Sequence, residues 1–276
     1  VSLTEAAAAA HDEHMSTARS PIAAVYGGGG LFGIGYTMGV TEALVDAGVD
    51  LAHVPSLGTS AGSWAAAGLA HHIRFLDALE VIEDAVPRVP DPRSGRLERV
   101  SDDLFGTDAY CPTVRVVTCA LPRLTRTVLS GAEHPIGQLV AASSAVPGML
   151  APVKIGRTRY VDGGVRSMAS VDLGDAADLL LVVLPLSGPM FGPAGRFMER
   201  GIGREIRTWH KKHPDSQMLI VRPGPDVVAL ARRPDHLFDP DRARRCYELA
   251  YQQGSDVLPE WQAAVAAVPP GGSSAA

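Results

Sequence analysis

The chain is poor in the residues that mark several classes of function. Only three of its 276 residues are cysteine. Cys111, Cys119 and Cys246 stand apart, with no CxxC pair and no Cys/His cluster. That spacing argues against structural zinc and against a disulfide scaffold, and it fits a reducing, cytoplasmic compartment. Aromatic residues make up 5% of the chain, too few for a base-stacking surface. Positive charge is in deficit: 25 Lys and Arg against 30 Asp and Glu give a net charge of −5, so no nucleic-acid partner is expected. Long apolar runs are missing too. "LLLVVLPL", Leu179 to Leu186, is far too short to span a bilayer. The start of the sequence has no basic stretch followed by an apolar one, so it does not read as a secretory signal.

What remains is a chain with 46% hydrophobic residues, enough for one domain with a large core. Residues 1–20 read as a loose tail, 21–265 as the folded domain and 266–276 as a polar tail. Strand-like runs alternate with helical patterns. Strands are expected at Ile22–Tyr26, His53–Leu57, Thr113–Leu121, Thr125–Ser130, in "VKIGRTRYVD", and at Asp178–Pro185 and Met218–Arg222. Helices are expected at Tyr36–Ala47, Ala61–His72, Phe197–Lys211 and Pro240–Gln253. The charged, proline-rich stretch Asp91–Asp103 reads as an exposed excursion. Such alternation predicts an α/β layer fold with a mainly parallel central sheet covered on both faces.

"YGGGGLFGIG", Tyr26 to Gly35, is the most unusual segment. Its glycines cost chain entropy, so something must approach this backbone closely. Gly28 to Gly33 fits the dinucleotide pattern GxGxxG. That pattern also needs an acidic residue ending the second strand, and Asp46 and Asp50 precede that strand instead. No Gly-Lys-Ser/Thr follows either, so the segment is not a P-loop.

The second strand runs into Gly58-Thr59-Ser60-Ala61-Gly62, a G-x-S-x-G at a strand-to-helix turn. Such a turn lifts the serine hydroxyl clear of the backbone, and the flanking glycines allow the crowding. The amides of the helix that follows favour negative charge beside it. A nucleophilic serine needs an oriented base. Of the nine histidines, His210 and His213 flank Lys211 and Lys212 and read as a solvated basic face, which leaves His236 as the one placed for a Ser…Asp…His order. Asp162, in "RYVDGGV", ends an apolar strand, and Gly163 and Gly164 after it permit close approach to another loop. A plain Asp-Gly hairpin turn is the bland alternative.

Together the glycine-rich loop, the G-x-S-x-G, "ASSAVPG" (Ala142 to Gly148) and the D-G-G resemble the patatin-like phospholipases, lipid acyl hydrolases with a Ser-Asp dyad. The four blocks occur in that family's order over about residues 22–185. The resemblance implies a three-layer α/β/α fold with a mainly parallel sheet. It implies Ser60 as nucleophile, Asp162 as base, and the Gly28, Gly29 and Gly30 amides as oxyanion donors. Gly58 and Gly62 would flank the serine, with Gly33, Gly163 and Gly164 in support. It implies no metal and no cofactor, and a lipid or ester substrate met with transient membrane-surface contact. One departure is Phe32, where many members of that family carry arginine. Two other readings stay open: a Ser-His-Asp esterase using His236, and a nucleotide-binding protein using the glycine loop.

Phe197, Met198, Ile202, Ile206 and Trp209 recur at helical spacing among Arg196, Arg200, Arg204, Arg207, Lys211 and Lys212. A basic amphipathic helix can lie on an anionic membrane. The favoured expectation is that this apolar stripe packs on the sheet.

Overall fold

The computed structural model describes residues 20–83, 95–188 and 190–268. In chain order the elements are β1 (Ser20–Tyr26), α1 (Gly30–Asp46), β2 (Ser56–Thr59), α2 (Ala61–Ala70), α3 (Phe75–Ile82), α4 (Arg96–Phe105), β3 (Val114–Ala120) and β4 (Thr125–Ser130). There follow α5 (Ile136–Ser143), β5 (Val153–Ile155), β6 (Thr158–Asp162), β7 (Ala177–Val183), α6 (Gly192–Lys212), β8 (Gln217–Val221), α7 (Pro225–Leu230) and α8 (Pro240–Ala266).

The strands form one mixed, mostly parallel sheet in the order β5-β6-β3-β2-β1-β7-β8, with β4 added to β3. β1, β2, β3, β7 and β8 run parallel, whereas β4, β5 and β6 pair antiparallel. Alternation along each central strand feeds two cores. Ala24, Tyr26, Val116, Leu179 and Leu181 face one, packed with α1, α2, α5 and α8. Ala23, Val25, Val117, Leu180 and Val182 face the other, packed with α6. Helices therefore cover both faces, which is why β7 is apolar without interruption from Leu179 to Val183.

Most of the apolar stripe of α6 packs on the sheet, with Ile202 and Trp209 buried in the second core and Met198 and Ile206 against it, whereas Phe197 is exposed. Some sequence expectations are revised, among them the second strand, which is Ser56–Thr59 and not His53–Leu57. The first helix starts at Gly30, six residues before the expected Tyr36, because burial on nearly every side outweighs the poor helix propensity of its glycines. An alanine-type Cβ at Gly35 would lie 2.5 Å from the Ala243 carbonyl, and one at Gly39 would lie 2.6 Å from that of Tyr247. Those glycines let α1 and α8 touch backbone to backbone. The Asp91–Asp103 excursion falls partly outside the described residues, but its second half is α4, not an exposed loop. Leu97, Ser101 and Phe105 of α4 are buried, at i, i+4 and i+8. At the termini, Ser20 already belongs to β1 and Ala266 ends α8, while residues 1–19 and 269–276 lie outside the described residues. Among the described residues no helix is long and apolar enough to cross a membrane.

Candidate active site

The sheet itself brings Ser60 and Asp162 together. β4 occupies one edge of β3 from Arg115 to Ala120. The other edge is shared. β2 pairs along it up to Thr59 opposite Val117, and β6 takes over with Asp162 opposite Thr118. The two strands thus end head to head at neighbouring positions of β3. Ser60 is the residue after Thr59, so its side chain meets Asp162 at this seam.

Ser60 sits at φ +51°, a left-handed conformation that a non-glycine residue rarely adopts. Several contacts hold it there. Its N–H donates to Ser143 Oγ at 2.9 Å, and Ser143 Oγ donates to Val117 O at 2.7 Å. Its carbonyl accepts from Ser63 Oγ at 2.6 Å and from the Ser63 amide at 2.8 Å. The glycines on either side are forced by space. A Cβ on Gly62 would lie 2.0 Å from Tyr26 O, and one on Gly58 would lie 2.5 Å from Gly62 O.

Ser60 Oγ donates to Asp162 Oδ2 at 2.7 Å. The other carboxylate oxygen, Oδ1, accepts the Gly164 amide at 2.6 Å. Both residues are buried, Ser60 at 7% exposure and Asp162 at 5%. Burial pushes the Asp162 carboxyl up to about 6, against the opposing pull of the hydrogen bonds from Ser60 and Gly164. Gly163 backs against β3, where a Cβ would meet Val117 O at 2.4 Å.

Two helix N-termini converge on the serine. α2 begins at Ala61, directly after it, and α1 begins at Gly30. A Cβ on Gly28 would lie 3.4 Å from Ser60 Cβ, and one on Gly33 would lie 3.1 Å from Ala61 Cβ. The glycine loop therefore lies against the serine turn. Its amides are not equivalent. The Gly28 N–H donates to Met168 O at 2.7 Å, so it is already occupied. The Gly29, Gly30 and Ala61 amides make no such backbone bond among the described residues. Of the three glycine amides singled out in the sequence, Gly28 is thus engaged elsewhere, while Gly29 and Gly30, with Ala61, keep amides without a backbone partner among the described residues.

Ser60 lies at the floor of a cleft whose other walls are almost wholly apolar. Leu31, Ile34, Trp64, Ile82, Leu97 and Leu150 contribute, with Phe238 and Gly30 at one side. Its free space is about 490 Å³ including the open mouth. Ser144 is the second polar side chain in the wall, and its Oγ accepts from Trp64 Nε1 at 2.9 Å. Among the described residues no lysine or arginine lines the cleft.

No protein-family model matches the chain, and no curated protein does. Among solved structures the chain is similar to the crystal structure of VipD from Legionella pneumophila, at 12% identity and a TM-score of 0.44. The match covers 88% of this chain and 67% of that one. Neither value assigns a family.

The remaining expected residues fall as follows. Phe32 is fully buried in the core and is not among the residues that line the cleft. His236 belongs to the short turn Pro234–Phe238, and no hydrogen bond joins it to Ser60 or Asp162 among the described residues. Among the described residues no group of three or more His, Cys, Asp or Glu side chains is placed to hold a metal ion. Sequence reasoning missed the roles of Ser143 and Ser144. "ASSAVPG" drew attention to them, but nothing in the sequence shows that α5 ends against the serine turn.

Proposed function

We propose that the protein is a serine acyl hydrolase acting on apolar carboxylic esters of the lipid type. The observation that carries this is the 2.7 Å Ser60–Asp162 hydrogen bond at the floor of an apolar cleft. A buried serine paired with a buried carboxylate is the arrangement a nucleophile and its base require. A carboxylate is ordinarily a weak base for a hydroxyl. Desolvation raises the Asp162 carboxyl to about 6, which strengthens it as a proton acceptor.

In this reading Ser60 Oγ attacks the ester carbonyl as Asp162 Oδ2 takes its proton. The negative charge that develops on the carbonyl oxygen is met by the Gly29, Gly30 and Ala61 amides at the two helix N-termini. Collapse of the tetrahedral intermediate expels the alcohol, which receives the proton from Asp162. Water then attacks the acyl-enzyme, again losing its proton to Asp162, and the acid is released with Ser60 restored. The acyl chain lies along Leu31, Ile34, Leu97 and Leu150. A nucleotide fits less well, since among the described residues its phosphates would find no cation lining this cleft.

The experiment is hydrolysis of a soluble short-chain p-nitrophenyl ester. Ser60→Ala and Asp162→Asn should each lose at least about 10³-fold in kcat. His236→Ala should keep at least about a third of the activity. Activity that survives Ser60→Ala, or that depends on His236 and not on Asp162, overturns the reading.

A further inference from the structure

α6 has one face that the fold does not use. Its apolar stripe is buried against the sheet, so membrane contact cannot run through that stripe. At about 100° per residue, Arg196, Arg207, Arg200, Lys211, Arg204 and Phe197 fall within an arc of about 100°, opposite Ile202 and Trp209. All six are exposed, and Phe197, a large apolar side chain, is 70% exposed. Arg196, Arg200, Arg207 and Lys211 make no ion pair among the described residues, and Arg204 reaches only the Arg200 carbonyl.

The acidic residues of α6 do not neutralise this face. Glu199 turns to Ser187 Oγ, the Gly188 amide and Arg222. Glu205 turns to Arg126 and the Val171 amide. The helix carries six Lys and Arg (196, 200, 204, 207, 211, 212) and two Glu, a net of +4, in a chain whose net charge is −5. Positive charge is therefore gathered on one stripe of an acidic protein.

We propose that this outer face of α6 docks the protein on an anionic lipid surface. Guanidinium groups recognise lipid phosphates and carboxylates, each basic residue near such a surface contributing on the order of 1 kcal/mol, or about fivefold. Phe197 supplies an apolar side chain that inserts at the headgroup boundary among those cations, which a purely solvated charged face has no need of. The proposal rests on the charge and exposure of α6 and stands whether or not Ser60 is catalytic.

The test is co-sedimentation with vesicles, in a Ser60→Ala background so that the lipid stays intact. Vesicles of phosphatidylcholine alone are compared with vesicles containing about 30% phosphatidylserine, at low and at raised salt. Pelleting is expected with the anionic vesicles only, and it should weaken as salt rises. Arg200→Glu/Arg204→Glu should lower it by at least about tenfold, and Phe197→Ala by a few-fold, with melting temperature unchanged. In an otherwise wild-type chain the same changes should leave soluble-ester hydrolysis intact, which separates failure of docking from failure of the hydrolase reading. Absence of pelleting, equal pelleting with neutral vesicles, or indifference to the charge reversal overturns the proposal. So does retention on heparin without vesicle binding, which assigns the stripe to a soluble polyanion.

Discussion

Ser143 stands between Ser60 and the sheet, its Oγ accepting the Ser60 N–H at 2.9 Å and donating to Val117 O at 2.7 Å. One hydroxyl thus satisfies two buried backbone groups and pins a serine held at φ +51°. Ser143→Ala leaves both groups without a partner. The expected cost is about 1–3 kcal/mol of stability, measured by urea unfolding. A fall of about tenfold in kcat with little change in KM is expected alongside, because the hydroxyl positions Ser60 without touching substrate.

Asp162 must be ionised to act as a base. With its carboxyl raised to about 6, kcat/KM should rise with pH through a single ionisation near that value and then level off. An acid limb centred near 4, the ordinary carboxylate range, speaks against this environment.

The same shift has a stability consequence with a definite sign. A folded value of about 6 lies above the unfolded one of 3.8, so the folded state holds the proton more tightly. That contribution is fully present below the unfolded value and is lost as pH rises through about 6. Asp162→Asn carries no charge at any pH. Its stability relative to wild type should therefore improve by on the order of 2–3 kcal/mol between about pH 4 and pH 8. Paired thermal melts at the two pH values check this, and a difference that does not change with pH contradicts it.

How much of this was legible in the sequence follows from the kind of signal each feature leaves. β7 announces itself because a stretch buried on both faces, Leu179 to Val183, has to be apolar. G-x-S-x-G was readable because the glycines answer a local crowding, visible in five residues. The meeting of Ser60 with Asp162 was readable only through the resemblance. It depends on β2 and β6 sharing one edge of β3, a non-local fact. The start of α1 was hidden because Gly30, Gly33, Gly35 and Gly39 look like loop residues, yet they serve close contacts of a buried helix. The same loop looked uniform in sequence. Only the position of Met168 shows that the Gly28 amide is occupied while its neighbours are not. α4 was missed for the opposite reason: its charges outweigh three buried positions in any composition count.

Close packing of α1 on α8 predicts a purely structural phenotype. Gly35→Ala would put a methyl group 2.5 Å from Ala243 O, against backbone that cannot yield cheaply. A loss of about 1–3 kcal/mol is expected by chemical denaturation. Activity per folded molecule should stay near that of wild type, since the added methyl points at Ala243 on α8 and not into the cleft.

Chain-length preference should follow the walls of the cleft. Leu150 is half-buried at its side. Leu150→Trp narrows the cleft, and kcat/KM for a long-chain ester should drop by about tenfold while that for an acetyl ester changes little. Equal losses for both esters point to a general disturbance in place of a steric one.

The central claim, that Ser60 is a nucleophile driven by Asp162, is tested most directly by intact-mass measurement after exposure to a fluorophosphonate. Wild type should gain one adduct, mapped by peptide sequencing to Ser60. Asp162→Asn should gain it far more slowly, and Ser60→Ala should gain none. No adduct on the wild type, or one on a residue other than Ser60, contradicts the account.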